Sequence, residues 1–291
     1  MEKIGFAGLG IMGKPMAGHL LKAGHPLFIL SSSAAAATLK EEGAVVLETP
    51  AAMAKEADII ITMLPDSPEV ESMVTGKGNL LQNMKPGSLF IDMSTISPAV
   101  AISLYKQFSE KGIEALDAPV SGGQTGAEAA TLSIMVGGNE AAFQRALPVF
   151  EKMGKNIVHI GKPGAGQTAK ACNQVVVGMT IQAVAEAMTL AKKSGIDIAK
   201  VRAALLGGFA QSRVLEVHGD RALKGTFTPG FKTHLYAKDM RNVVATLAEQ
   251  NVPAPVTAIV QQLLHATMAA GHGEDDNSVM AKTVFELAGL E

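Results

Sequence analysis

Short apolar runs alternate with helical patterns through the first half of this chain, and that alternation limits the fold more than any other feature. Residues 4–7, 27–30, 59–63, 89–93, 115–118 and 132–136 are each almost wholly apolar. Amphipathic stretches, among them 12–23, 68–74 and 98–110, separate them. Continuous apolar strands divided by helices are what a parallel sheet covered on both faces requires, because such strands bury both sides. Turn punctuation agrees: Ala23-Gly24-His25-Pro26 stops the first helix and Lys85-Pro86-Gly87 precedes a strand. The expected fold is α/β, a doubly wound Rossmann-type parallel sheet.

The pattern changes after Gly161-Lys162-Pro163-Gly164-Ala165-Gly166. Residues 167–193 hold no proline and no charge run, which predicts one helix of about 27 residues and about 40 Å, long enough to connect two domains. Only helical patterns follow, at 198–206, 212–222, 238–249, 253–270 and 278–287. The boundary is therefore placed at residue 163. Residues 1–163 form the sheet domain, and 164–291 an all-helical domain that begins with the long helix. A helical unit this small, built on one apolar helix, is expected to complete its core in a homodimer or homotetramer.

Composition removes several classes of function. Twenty-five basic residues against 27 acidic ones give a net charge of −2, which is no footprint for nucleic acid or an anionic membrane. One cysteine, Cys172, excludes an intrachain disulfide and a multi-cysteine zinc site. The histidines lack ligand spacing, and the acidic turn after His272 reads as a polar loop, so no metal is expected. The start of the chain lacks the layout of a signal peptide, and no run reaches the roughly 18 apolar residues of a membrane span. The expected address is the cytoplasm.

Gly8-Leu9-Gly10-Ile11-Met12-Gly13 fits G-x-G-x-x-G, follows a strand and opens a helix within a β-α-β unit. Gly8 permits the tight turn, Gly10 lets a pyrophosphate reach the backbone, and Gly13 lets the helix pack closely. The free amides of the helix start then face the phosphates. An acid about 20 residues on would bond a ribose 2′-hydroxyl, and an arginine would take a 2′-phosphate. Ser31, Ser32 and Ser33 are neither; they bond a phosphate, cap the next helix, or do both. With no carboxylate to repel the extra phosphate, the balance tips toward NADP over NAD.

Two further groups carry chemistry. Ser121-Gly122-Gly123, just after Asp117 at a strand end, offers a hydroxyl and several amides to a small carboxylate, or else is only a flexible turn. Lys170 and Asn173 stand three apart on a helix and so share a face, in nearly uncharged surroundings. A lysine there is either solvated or a partly desolvated general acid, since desolvation lowers an ammonium pKa toward the proton-transfer range. Lys238-Asp239, which opens the helix expected at 238–249, reads alone as an ion pair.

These segments together resemble the β-hydroxyacid dehydrogenase family. GFAGLGIMGKPMAGHLL, TMLPDSPEV, IDMSTISP, DAPVSGGQTGAEAATLSIMVGG, GAGQTAKACNQ and PGFKTHLYAKDM follow one another in the family's order over essentially the whole chain. GGFAQSRVLEVHGDR resembles the branch that reduces tartronate semialdehyde. The resemblance implies that the residues from Gly8 to Gly13, with Met63 and Leu64, hold the cofactor and that Thr95 lies by its nicotinamide. It implies that Ser121, Gly122 and Gly123 bind the substrate carboxylate, that Lys170 is the acid/base and that Asn173 orients the substrate. Lys238 would close over the cofactor. NADP-preferring members often carry arginine where this chain has Ser32, which weakens the case for that nucleotide. The activity implied is NAD(P)H-dependent reduction of tartronate semialdehyde to glycerate. The alternatives are a 3-hydroxyisobutyrate dehydrogenase, a glyoxylate or succinic semialdehyde reductase, an enzyme acting on serine, and a cofactor-binding module without turnover.

Overall fold

The computed structural model describes residues 1–33 and 35–290. The chain divides into two compact units, Met1–Lys170 and Ala171–Glu291, so the division falls inside the long helix. In the first unit the order begins β1 (Ile4–Ala7), α1 (Gly13–Lys22), β2 (Leu27–Leu30), α2 (Ala36–Glu41), β3 (Val45–Leu47) and α3 (Pro50–Glu56). It continues with β4 (Ile59–Thr62), α4 (Ser67–Thr75), β5 (Leu89–Asp92), α5 (Pro98–Ser109) and β6 (Glu114–Asp117). After these come β7 (Val120–Ser121), α6 (Gly123–Glu128), β8 (Leu132–Gly138), α7 (Glu140–Phe150) and β9 (Gly154–Gly161).

The strands lie in the order β3-β2-β1-β4-β5-β6-β8-β7, with β9 beside β8. The first six are parallel, which is the doubly wound order with its reversal between β1 and β4. Beyond β6 the sheet departs from the parallel expectation: β8 runs antiparallel to β6, and β7 antiparallel to β8. The continuous apolar runs have a direct cause in the pleat. Phe6, Ile29, Ile61 and Ile91 point into one core, while Ala7, Phe28, Ile60 and Phe90 point into another on the opposite face. Sequence periodicity missed β3, β7 and β9. The first two are three and two residues long, and β9 alternates exposed and half-buried residues.

Side chains cap most of the helices around this sheet. Thr49 caps α3, Asp66 α4, Ser97 α5 and Asn139 α7, each accepting from a backbone amide of the first turn. The start of α1 has no such cap and no acid in its first turn.

The second unit is helical. It contains most of α8 (Ala165–Lys193), then α9 (Ile198–Leu206), α10 (Arg213–Lys224), α11 (Thr233–Glu249) and α12 (Pro255–Ala269). A 3-10 turn at Asn277–Val279 leads into α13 (Met280–Leu287). Ile181, Tyr236, Met240, Val243, Val260 and Leu264 make one apolar cluster, and Val184, Met188, Leu215, Ala222 and Phe285 a second. By length and hydropathy α8 could cross a bilayer, a test that core helices also pass. Lys238 does not open a helix as expected. Lys232 is the N-cap of α11, which places Lys238 in its second turn.

Candidate active site

The six parallel strands β1 to β6 deliver their carboxyl ends to one edge of the sheet, and the predicted cofactor residues of that unit gather there. Gly8 follows β1 with φ +99°, and a Cβ on it would sit 2.2 Å from the Met63 carbonyl oxygen. A Cβ on Gly13 would sit 1.8 Å from the Gly8 carbonyl oxygen, so α1 starts directly against the turn. Gly10 is exposed, with no atom within 4 Å of where its Cβ would be. Backbone amides at an uncapped helix start are thus reachable from solvent at the strand-order reversal. Leu9 is 7% exposed and packs into the core, so it can offer a ligand only its backbone. The Ile11 side chain is exposed and Met12 half-buried.

Ser31 and Ser32, after β2, are both exposed. The Ser31 hydroxyl donates to Glu48 Oε2 at 3.0 Å. Glu48 comes from the end of the neighbouring strand β3. Met63 and Leu64 follow β4, and the Leu64 amide donates to Ser94 Oγ at 2.8 Å. Thr95, half-buried, follows β5.

Asp117 ends β6 beside Asp92 at the end of β5. Its carboxylate accepts from the Gly164 amide at Oδ1 and the Gln167 amide at Oδ2, both at 2.8 Å. Burial pushes the Asp117 carboxyl up to about 6 despite those two donors, and the charge of Asp92 adds to the rise. Asp92 Oδ1 accepts from Thr62 Oγ1 at 2.8 Å and from the Ser94 amide at 3.2 Å. Ser121 and Gly123 are half-buried and Gly122 is exposed, with the two glycines at φ +139° and +60°. Lys170 is 7% exposed on the second turn of α8.

Asn173 is three residues further along that helix and half-buried; its Nδ2 donates to Gln174 Oε1 at 2.8 Å. In the second unit Gln174 Nε2 donates to Asp239 Oδ2 at 2.5 Å, and the Tyr236 hydroxyl donates to the Gln174 carbonyl at 3.0 Å. Lys238 Nζ lies 2.6 Å from Asp239 Oδ1. Burial raises the Tyr236 hydroxyl well above its ordinary range, with the charge of Asp239 as a second cause. No group of three or more His, Cys, Asp or Glu that could hold a metal occurs among the described residues.

Comparison with known proteins gives this arrangement a family. Residues 3–161 match the NAD binding domain of 6-phosphogluconate dehydrogenase, and residues 164–284 match the NAD-binding domain of NADP-dependent 3-hydroxyisobutyrate dehydrogenase. Over 286 residues, 98% of each chain, the protein is 45% identical to 2-hydroxy-3-oxopropionate reductase of Escherichia coli (strain K12). The chain belongs to the 3-hydroxyisobutyrate dehydrogenase family of β-hydroxyacid dehydrogenases.

A 3-hydroxyisobutyrate dehydrogenase from Mycobacterium tuberculosis, solved with L-serine, superposes with TM-score 0.88 at 36% identity over 98% of this chain and 99% of that one. The NAD-dependent L-serine dehydrogenase of Pseudomonas aeruginosa is 36% identical over 291 residues, 97% of each chain. Membership makes this protein an NAD(P)-dependent oxidoreductase acting on hydroxyl groups. The glycine edge fits that cofactor: the turn at Gly8 and Gly13 tolerates no side chain, whereas the space over Gly10 stays open to a pyrophosphate.

Three residues escaped the sequence reading. Glu48 stands 17 positions from the serine it accepts from. Gln167 lies within GAGQTAKACNQ, but that motif was read for Lys170 and Asn173 and gave Gln167 no role. Asp276, in the turn read as a polar loop, is 1% exposed. It pairs with Arg221 and accepts from the Gly230 and Phe231 amides at 2.9 and 3.1 Å. Burial alone would raise its carboxyl; Arg221, Ser278 and those amides outweigh burial and hold it below the usual range.

Proposed function

We propose that this dehydrogenase reduces tartronate semialdehyde to glycerate, with Lys170 as the general acid. The observation that carries the reading is Lys170 itself, an ammonium 7% exposed on a helix whose first turn is hydrogen-bonded to the carboxyl end of β6. The 45% identity to the Escherichia coli 2-hydroxy-3-oxopropionate reductase supports the choice of substrate. When bound, the reduced nicotinamide supplies a hydride to the aldehyde carbon. Lys170 Nζ gives its proton to the oxygen as the carbonyl π bond breaks, and takes a proton from the hydroxyl in the reverse direction. Ser121, Gly122 and Gly123 bind the substrate carboxylate through hydroxyl and amide donors, and Asn173 orients the hydroxyl-bearing carbon. Gly8, Leu9, Gly10, Ile11, Met12 and Gly13 take the pyrophosphate, with Ser31 and Ser32 at the adenosine ribose and Met63, Leu64 and Thr95 along the nicotinamide side.

Glu48 accepts from the Ser31 hydroxyl at 3.0 Å, so a carboxylate stands beside the serine we assign to the adenosine ribose, where it would oppose an extra phosphate. The preference for NADP therefore loses its electrostatic support, and both nucleotides belong in the assay. The division of labour we propose is 1–163 for the dinucleotide and 164–291 for substrate and self-association, in the cytoplasm. Exposed Val176, Leu190, Val256 and Ile259 on helices of the second unit support a homo-oligomer.

The test is a substrate panel of tartronate semialdehyde, 3-hydroxyisobutyrate, glyoxylate, succinic semialdehyde and serine, each with NADH or NADPH or their oxidised forms. The highest kcat/KM is expected for tartronate semialdehyde; a higher value for another substrate transfers the assignment to it. Lys170→Ala should lower kcat by about 10²–10⁴-fold with nucleotide affinity nearly unchanged. Retention of most activity would remove the lysine from its role.

A further inference from the structure

Gln167 is 1% exposed, and its side-chain nitrogen, side-chain oxygen and backbone amide are all engaged within the first unit. Its Nε2 donates to the Ser94 carbonyl at 2.8 Å, and its Oε1 accepts from the Ile96 amide at 3.1 Å. Those two backbone groups flank Thr95. Its own amide donates to Asp117 Oδ2 at 2.8 Å. A neutral carboxamide is the side chain that can donate and accept at once in such a bracket without burying a charge. Close approach is secured by Gly166, where a Cβ would sit 2.4 Å from the Met135 carbonyl oxygen and 2.5 Å from that of Asp117.

The contacts form one continuous run. The Leu64 amide donates to Ser94 Oγ, the Ser94 carbonyl accepts from Gln167, and three residues later on the same helix comes Lys170. No step of it depends on a bound ligand.

We infer that Gln167 is a positioning residue for proton transfer: it ties the Thr95 loop to the first turn of the helix bearing Lys170. The proton donor is thereby held in fixed register with the strand ends that receive the nicotinamide. This rests on the assignment of Lys170 as the acid. A displacement of about 1 Å in such a site can cost about 10²-fold in rate, which sets the size of the expected effect.

The experiment is a kinetic cycle with tartronate semialdehyde and either NADH or NADPH, on wild type, Gln167→Leu, Lys170→Ala and the double variant. Nucleotide Kd is measured alongside by fluorescence. Gln167→Leu is expected to lower kcat about 10²-fold while Kd stays within about threefold. In the Lys170→Ala background the same change should cost less than about threefold, because the donor it positions is gone. A larger loss in that background, or wild-type kcat for Gln167→Leu, overturns the inference. Unimpaired kcat for Lys170→Ala overturns the functional assignment instead.

Gln167→Glu keeps the test open if the leucine variant does not fold. The introduced carboxyl still accepts from Ile96, but it donates to Ser94 only when protonated. Its kcat relative to wild type should therefore be highest at acid pH and fall as pH rises; the Asp117 carboxyl, which accepts from the amide at 167, couples to the new group and moves the pH at which the fall occurs, not its direction. A ratio that does not change with pH overturns the inference.

Discussion

The glycine turn at the end of β1 and the polar bracket around Gln167 belong to the same sheet edge, yet they are held in opposite ways. The turn is held by exclusion. Backbone packs on backbone so closely that a single methyl at Gly8 or Gly13 would fall 2.2 or 1.8 Å from a carbonyl oxygen. The bracket is held by attraction, through Asp117, Ser94 and Gln167, each partner 47 to 73 residues from the next. Exclusion needs only glycine and a neighbouring strand. Attraction needs donors and acceptors matched in number, because an unpaired buried group costs its full desolvation. A turn of the first kind resists small shifts and leaves open space for a ligand, whereas a bracket of the second kind is sensitive to charge and therefore to pH.

The sharpest way to break this contrast is at the glycines. Gly13→Ala should lower Tm by at least about 4 °C and abolish most nucleotide binding, since the helix start must move to relieve the contact. Gly10→Ala should leave Tm almost unchanged and weaken nucleotide binding alone, because its Cβ meets nothing. Equal Tm losses in the two variants would mean that packing does not distinguish them. Calorimetry with and without nucleotide reads both quantities.

The second unit offers a bracket of the attractive kind, which extends the comparison. Arg221→Leu leaves Asp276 buried with its backbone donors but without the guanidinium. Breaking a buried pair in this manner costs about 3 kcal/mol, to be read from urea unfolding. The lowered carboxyl of Asp276 contributes stability that is present above its unfolded value and is lost as pH falls through the folded one. Arg221→Leu raises that folded value, so acid unfolding of the variant should begin at higher pH. An unchanged acid midpoint would count against the pair.

Asp117 gives the smallest effect and the opposite sign. Its folded value of about 6 lies above the ordinary 3.8, so the native state holds the proton more tightly than the unfolded chain does. Its contribution to stability is therefore greatest below about pH 4 and declines between about 4 and 6, by at most about 3 kcal/mol. Asp117→Asn should remove this slope from the dependence of unfolding free energy on pH. If the variant and wild type run parallel between pH 4 and 7, Asp117 does not titrate in that window.

What was legible in the sequence follows the same division. Strands β1, β2, β4 and β5 could be read because burial on both faces forces an unbroken apolar run. The glycine fingerprint could be read because its constraints act between near neighbours. The long helix showed itself as an uninterrupted stretch before the 171–291 unit. By contrast, β9 alternates exposed and half-buried residues, and nothing local marks it as the neighbour of β8. The start of α11 at Thr233 was missed because the turn before it is fixed from outside: the Thr233 amide donates to the Asp275 carbonyl. The assignment of Lys170 as acid came from resemblance and from its uncharged neighbours.

By itself, then, the sequence determined the α/β class, the dinucleotide turn and the helix that presents Lys170 and Asn173, because each is encoded by spacing within about 30 residues. Only the tertiary structure decided that Glu48 meets Ser31, that Asp117 holds the start of the long helix and that Gln167 brackets Thr95. Those partners are joined by hydrogen bonds across the ends of separate elements, and a polar residue's spacing does not say which group on another element its side chain will satisfy.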